Sequence, residues 1–164
     1  MAISFFSTNQ KLTGGALFLS VNSKAGDIYF KFFKQVANDP NDRKGNYNFK
    51  APVNVKVGQG EAGGFIRAGA TDGEFSAFHK FDEVSTTLSF RHYVIAAQGQ
   101  NKEKRGFGLT VKRGDLEVKI GLSEGDAEHF SNWLKWALGR IYDADYAAEK
   151  KAYEDAVKAK EAAQ

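Results

Sequence analysis

Apolar residues recur at every second position through much of this chain, the period of a half-buried β-strand. In residues 16–22 (ALFLSVN) the set Leu17, Leu19 and Val21 shares one side. In residues 27–36 (DIYFKFFKQV), Ile28, Phe30 and Phe32 share one side, and Tyr29, Lys31 and Phe33 the other. Residues 49–57 (FKAPVNVKV) predict a third strand, with Phe49, Ala51, Val53, Val55 and Val57 inward and Lys50, Asn54 and Lys56 outward. Pro52 has no N–H to donate and marks an edge or a bulge there. Four further strands follow in residues 75–81 (FSAFHKF), 86–95 (TTLSFRHYVI), 105–113 (RGFGLTVKR) and 115–122 (DLEVKIGL). Their inward sets are Leu88, Phe90 and Val94, then Phe107, Leu109 and Val111, then Leu116, Val118 and Ile120. The polar run 99–106 (GQNKEKRG) between two of them reads as a hairpin loop.

Two segments have helical spacing instead. In residues 61–70 (EAGGFIRAGA), Ala62, Phe65, Ile66 and Gly69 fall on one face. The adjacent Gly63 and Gly64 each weaken a helix by roughly 1 kcal/mol relative to Ala, so this one depends on packing. The stronger helix starts after Ser123, an N-cap with Asp126 three residues on. Ala127, Phe130, Leu134, Ala137, Leu138 and Ile141 form its apolar stripe. Trp133 lies beside that stripe and is expected in the core; Trp136 lies off it and is expected at a subunit contact. Each helix follows a version of one phrase, VKVGQGE at 55–61 and VKIGLSE at 118–124. Four of the seven positions are identical, and Val57 and Ile120 make a fifth conservative match. The phrase predicts the last strand of a unit and its turn into a helix, with Gly58 and Gly121 in the turn. The fold class is therefore α+β: two β-β-β-β-α repeats, about 16–70 and 75–142, with antiparallel sheets and packed helices. Together they form one domain over 1–142. The first repeat lacks an obvious fourth strand, and the apolar ISFF at 3–6 can supply it. An Ala/Glu/Lys-rich tail, 143–164, extends the second helix, with Tyr142, Tyr146, Tyr153 and Val157 at spacings of four and seven.

Composition narrows the function classes. The chain has 164 residues, 42% of them apolar, with 14 Phe, enough for a bulky core. With no Cys it has no disulfide, thiolate metal site or Cys nucleophile. No stretch approaches the roughly 20 apolar residues of a membrane span, and residues 1–10 lack the pattern of a secretory leader. The expectation is an intracellular protein, cytoplasmic or nucleoid-associated, or a viral protein in the host cytoplasm. Net charge is +3, which is compatible with a polyanionic partner but decides nothing alone.

Motifs for catalysis are weak. Gly58, Gly60 and Gly63 spell G-x-G-x-x-G, but between amphipathic segments suited to an antiparallel sheet rather than the parallel unit of dinucleotide-binding proteins. His79, His92 and His129 lie in separate segments without metal-ligand spacing. The expectation is a protein that is not an enzyme and needs no cofactor or metal. The outward faces of the strands point elsewhere, because aromatic and cationic side chains alternate on them. Tyr29, Lys31 and Phe33, with Lys50 and Lys56, sit on the first set of strands; Phe78, Lys80, Arg91, Tyr93 and Lys112 sit on the second. Rings stack on unpaired bases and cations follow phosphates, so these ten are the candidate nucleic-acid-binding residues. Lys102, Lys104, Arg105 and Arg113 extend the basic track.

In residues 105–138 (RGFGLTVKRGDLEVKIGLSEGDAEHFSNWLKWAL), a basic strand, a hairpin, a strand, a capped turn and a Trp-bearing helix follow in order. That order resembles the Whirly and positive-cofactor-four group of single-stranded nucleic-acid-binding proteins. The resemblance implies four antiparallel strands and a helix per unit, two units per chain as in the Whirly branch, and assembly into a homo-oligomer. The Lys-Gly-Lys-Ala signature of plant Whirly proteins has no counterpart here, so no binding residue is carried over by motif. The expected function is binding of single-stranded DNA, and of RNA by the same chemistry, with little sequence preference, in replication, recombination or transcription. The alternative is a structural or assembly protein, for example a viral component, using the sheets and the C-terminal helix for protein contacts.

Overall fold

The computed structural model describes residues 2–42, 44–81, 83–97 and 102–162. Its first sheet is β1 (Ile3–Ser7), β2 (Gly15–Asn22), β3 (Asp27–Lys34) and β4 (Val53–Val57), followed by helix α1 (Gln59–Ala70). The second is β5 (Glu74–Phe81), β6 (Val84–Ile95), β7 (Lys104–Arg113) and β8 (Leu116–Ser123), followed by helix α2 (Glu124–Ala162). Both sheets are antiparallel meanders with strands in sequence order. The α+β architecture of two β-β-β-β-α units is thus the observed one. The missing strand of the first unit is the ISFF segment, so that sheet begins at Ile3 rather than near residue 16.

The inward face of each sheet goes to one common core. Ile28, Phe30 and Phe32 of β3, Val53, Val55 and Val57 of β4, Leu88 and Phe90 of β6, and Leu109 and Val111 of β7 all belong to it. The helices add Ala62, Phe65 and Ala68 from α1 and Ala127, Phe130, Leu134 and Ile141 from α2. Both sheets and both helices meet at four rings. Phe65 lies 5.5 Å from Phe30, 5.9 Å from Phe90 and 6.0 Å from Phe130, centroid to centroid. Phe130 lies 5.6 Å from both Phe30 and Phe90. The glycine-rich α1 survives because of this packing. A Cβ on Gly64 would sit 2.3 Å from the ring of Phe75, so the bare backbone admits the strand-borne ring that holds the helix in place.

Three expectations change. The strand predicted over 49–57 begins only at Val53, and Phe49 and Ala51 lie in a turn before it. Phe49 goes to the outward side of the sheet, joining other rings there, because a fixed Pro52 backbone separates it from the alternating run. Gly121 is in strand β8 and not in the turn, which comes two residues later at Ser123. Val94, expected inward, is exposed, because the β6–β7 ladder continues past the core. The N-cap itself is as expected: Ser123 Oγ accepts from Asp126 N at 3.1 Å, and the Asp126 carboxylate accepts from Ser123 N at 3.2 Å. Trp133 is buried and Trp136 is 37% exposed.

Candidate nucleic-acid interface

The odd-numbered residues of β3 face outward because the even-numbered Ile28, Phe30 and Phe32 fill the core. Register sets their neighbours. Lys31 lies between Phe18 of β2 and Asn54 of β4, Tyr29 between Ser20 and Lys56, and Phe33 beside Ala16. Lys31 is exposed and has no ion-pair partner among the described residues. Tyr29 and Lys56 do not stand free. The Tyr29 hydroxyl donates to Asp27 at 2.8 Å and Lys56 Nζ pairs with the same carboxylate at 2.6 Å. The hydrogen bond from Lys56, and then that from Tyr29, hold the Asp27 carboxyl below the usual carboxylate range. The same contacts raise the Lys56 ammonium and the Tyr29 hydroxyl above their ordinary values. Two of the predicted contacts are therefore positioned by one buried carboxylate, which also offsets part of the lysine's charge.

Phe33 is buried, contrary to its expected role as a free stacking ring. Its ring lies 4.9 Å from Phe49 and 5.2 Å from Phe18. Tyr47, also buried, sits 6.0 Å from Phe49, and Phe6 lies 5.8 Å from Phe18. The loop after β3 folds back to build this cluster: Val36 N donates to Asn46 O, Asn48 N to Lys34 O, and Asp39 N to Asn46 Oδ1. Phe33 and Tyr47 form the floor, and Phe6 and Phe49, 39% and 40% exposed, form the accessible surface. The exposed Lys50 follows Phe49 directly in the same turn. Sequence reasoning placed Phe49 inward and passed over Phe6. The signal available was that Phe6 and Phe18 share the parity of outward positions on their strands.

The second sheet presents a different texture. Phe78, Thr87, Lys112 and Glu117 lie in one row across the strands, and Ser76, Ser89, Thr110 and Lys119 in the next. Glu74, Arg91, Gly108 and Gly121 follow, and then Tyr93, Gly106 and Ser123. Small residues fill most of the middle, with Phe78, Lys112, Arg91 and Tyr93 standing around them. Phe78 is 64% exposed, and Lys112 has no ion pair among the described residues. Arg91 pairs with Glu74 at 2.9 Å, but both are exposed, and such a pair contributes only about 0–1 kcal/mol. Tyr93 lies over Gly106, where a Cβ would come 2.9 Å from its hydroxyl. Part of the hairpin loop at 98–101 lies outside the described residues; Arg105, beside it, is raised further by its hydrogen bond to Glu103 at 2.7 Å.

Where β4 faces β5 and β6, a cleft of about 530 Å³ opens between the sheets. It is lined by Lys56, Lys80, His79 and Arg113, with Val55 and Val84 among its apolar walls. Arg113 spans it, donating to Asn54 O at 2.8 Å and to Thr86 Oγ1 at 2.7 Å. The structure thus brings Lys56 and Lys80 of the two sheets to one basic seam. It leaves Lys31, Lys50 and the aromatic cluster on the first sheet, and Phe78, Lys112, Arg91 and Tyr93 on the second. Arg113 was expected only to lengthen a basic track; its clamp between sheets depends on a long-range approach that no local pattern encodes.

No protein-family model and no curated protein sequence matches this chain. Solved structures do. The plant transcriptional regulator PBF-2 matches with a TM-score of 0.60 at 12% identity, over 92% of this chain and 86% of that one. WHY1 from Arabidopsis thaliana matches with a TM-score of 0.61 at 12% identity, over 93% and 92%. WHY3 from the same plant gives 0.58 at 12%, over 91% and 92%. These are Whirly proteins, and the two-sheet, two-helix architecture described above is the Whirly fold.

Proposed function

We propose that this protein binds single-stranded DNA, and RNA by the same chemistry, with little sequence preference. The observation that carries the reading is the pairing of exposed rings with cations that have no ion pair among the described residues, on both outward sheet faces joined by the basic seam. Base–aromatic stacking contributes roughly 1–3 kcal/mol per base, and every base has a face to stack. Phe78 and the Phe6–Phe49 surface supply rings; Lys31, Lys50, Lys80 and Lys112 supply phosphate contacts; Tyr29 and Lys56 act as a unit set by Asp27. Phe33 supports these rings from below. No duplex groove needs to be read, since a sheet face lined with Ser, Thr and Gly leaves room for unpaired bases lying against it. Binding, not catalysis, is the mechanism.

That a protein of the same fold is a plant transcriptional regulator supports a role on nucleic acid, as an argument from fold. The cellular setting consistent with it is replication, recombination or transcription, in cytoplasm or nucleoid, with the chain acting as a homo-oligomer. The second reading, an assembly protein, draws on the exposed Trp136 and on the tyrosines of the α2 tail. Alanine at Tyr29, Lys31, Arg91 and Tyr93 together separates the two. The strand-binding reading expects oligo-dT affinity to fall at least about tenfold with the fold retained by circular dichroism. Full affinity in the folded quadruple variant, with altered oligomer mass, would move the sheets to protein contacts.

A further inference from the structure

The second half of α2 leaves the body of the protein. Ile141 is its last buried residue, and every described side chain beyond it is exposed except the half-buried Ala144. That segment is not uniformly polar. Tyr142, Tyr146, Tyr153 and Val157 are 56%, 69%, 73% and 36% exposed. At helical pitch the four fall within an arc of about 60°. They do not prolong the face that packs on the core. The line of Phe130, Leu134, Ala137 and Ile141 continues as Asp145, Ala148, Ala152, Asp155 and Ala159, more than a third of a turn away. The apolar stripe of the helix therefore ends where the body ends, and a new one starts on another side.

We propose that this new stripe is the contact for the same stripe of a second copy, the two helices running antiparallel about a two-fold axis beside Glu149 and Lys150. Spacing is the first argument. The stripe steps by four, seven and four residues, a pattern unchanged when it is turned end for end. Reversal lays Tyr142 against Val157, Tyr146 against Tyr153 and Glu149 against Lys150, each twice, as an isologous contact requires. Charge is the second. Residues 142–149 hold three carboxylates and no cation; residues 150–157, which face them on reversal, hold two lysines and two carboxylates. Parallel copies would set the acidic half against itself, whereas antiparallel copies set it against a charge-balanced half that begins with Lys150 and Lys151. Area is the third. Six tyrosine rings, each more than half exposed in the single chain, would bury roughly 150 Å² apiece if fully covered, so covering the whole stripe brings the contact up to roughly 1,000 Å², the threshold of a specific interface.

The inference does not rest on strand binding, and its test needs no nucleic acid. Because the chain has no cysteine, single thiols report geometry cleanly. Lys150→Cys sits beside the axis and, under mild copper–phenanthroline oxidation, is expected to give a covalent dimer with itself. Tyr142→Cys alone is expected not to, but a mixture of Tyr142→Cys and Val157→Cys chains is. Self-linking of Tyr142→Cys as readily as Lys150→Cys would overturn the antiparallel arrangement. In parallel, sedimentation of the double variant Tyr146→Glu and Tyr153→Glu is expected to show a mass lowered about twofold with helicity retained. A wild-type chain that sediments as a monomer, or a double variant of unchanged mass, would overturn the pairing. So would a loss of oligo-dT affinity at unchanged mass, which would assign the tyrosines to nucleic acid.

Discussion

Asp27 shows how one side chain sets the character of its neighbours. It is an acid on a face expected to meet phosphates, yet it accepts from both Tyr29 and Lys56. Its lowered pKa means the folded state holds the carboxylate more firmly than the unfolded chain does. That contribution is fully present above the unfolded value and is lost as pH falls through the lowered folded one. Lys56, raised in the fold, has the opposite sense: its contribution is present below its unfolded value and is lost as pH rises through the raised one. Asp27→Asn is therefore expected to flatten the fall in melting temperature below about pH 4. It should also tighten oligo-dT binding at low salt by freeing the lysine charge. An acid melting profile identical to wild type would contradict this account. None of this triad was legible in the sequence beyond the alternation that put Tyr29 outward. Asp27 and Lys56 are far apart in the chain, and only the β3–β4 register brings them together.

At the scale of elements, the twice-written phrase has two different outcomes. In the first copy the strand stops at Val57, Gly58 is the cap, and its N–H donates to the Glu61 carboxylate at 2.8 Å. In the second, β8 runs three residues further, through Gly121 to Ser123, which with Asp126 caps α2. The extra length has partners. Gly121 N donates to Ser7 Oγ and Lys119 N to Thr13 O, so the segment leading out of β1 covers the edge of β8. Alternation and capping chemistry are local, and they made seven strands and both helices readable. The edge cover and the Phe49 turn come from contacts across the chain and were not. Ser123→Ala removes the cap acceptor and should cost about 1 kcal/mol of stability, measured by urea denaturation. A loss below about 0.3 kcal/mol, outside the usual range of cap substitutions, would mean the turn is held by packing alone.

In the whole molecule, two sheets turn their apolar faces to a single core and their mixed faces outward. The order of elements was enough to anticipate this architecture, because four amphipathic strands and an amphipathic helix have few ways to bury their apolar sides. Which outward residues stay accessible was not readable from that order. A loop sets Phe49 over the buried Phe33 and Tyr47, and Arg113 ties the sheets across the seam between Lys56 and Lys80. In the proposed reading, the rings and cations left exposed on both faces supply the stacking and phosphate contacts. The most direct test is fluorescence anisotropy of labelled oligo-dT and of the matching duplex across a salt titration. The account predicts tight binding of the single strand and weak binding of the duplex. Affinity should fall with salt as counterions are released, but retain a salt-resistant part from stacking. Equal affinity for duplex and single strand, or no binding of either at low salt, would contradict it.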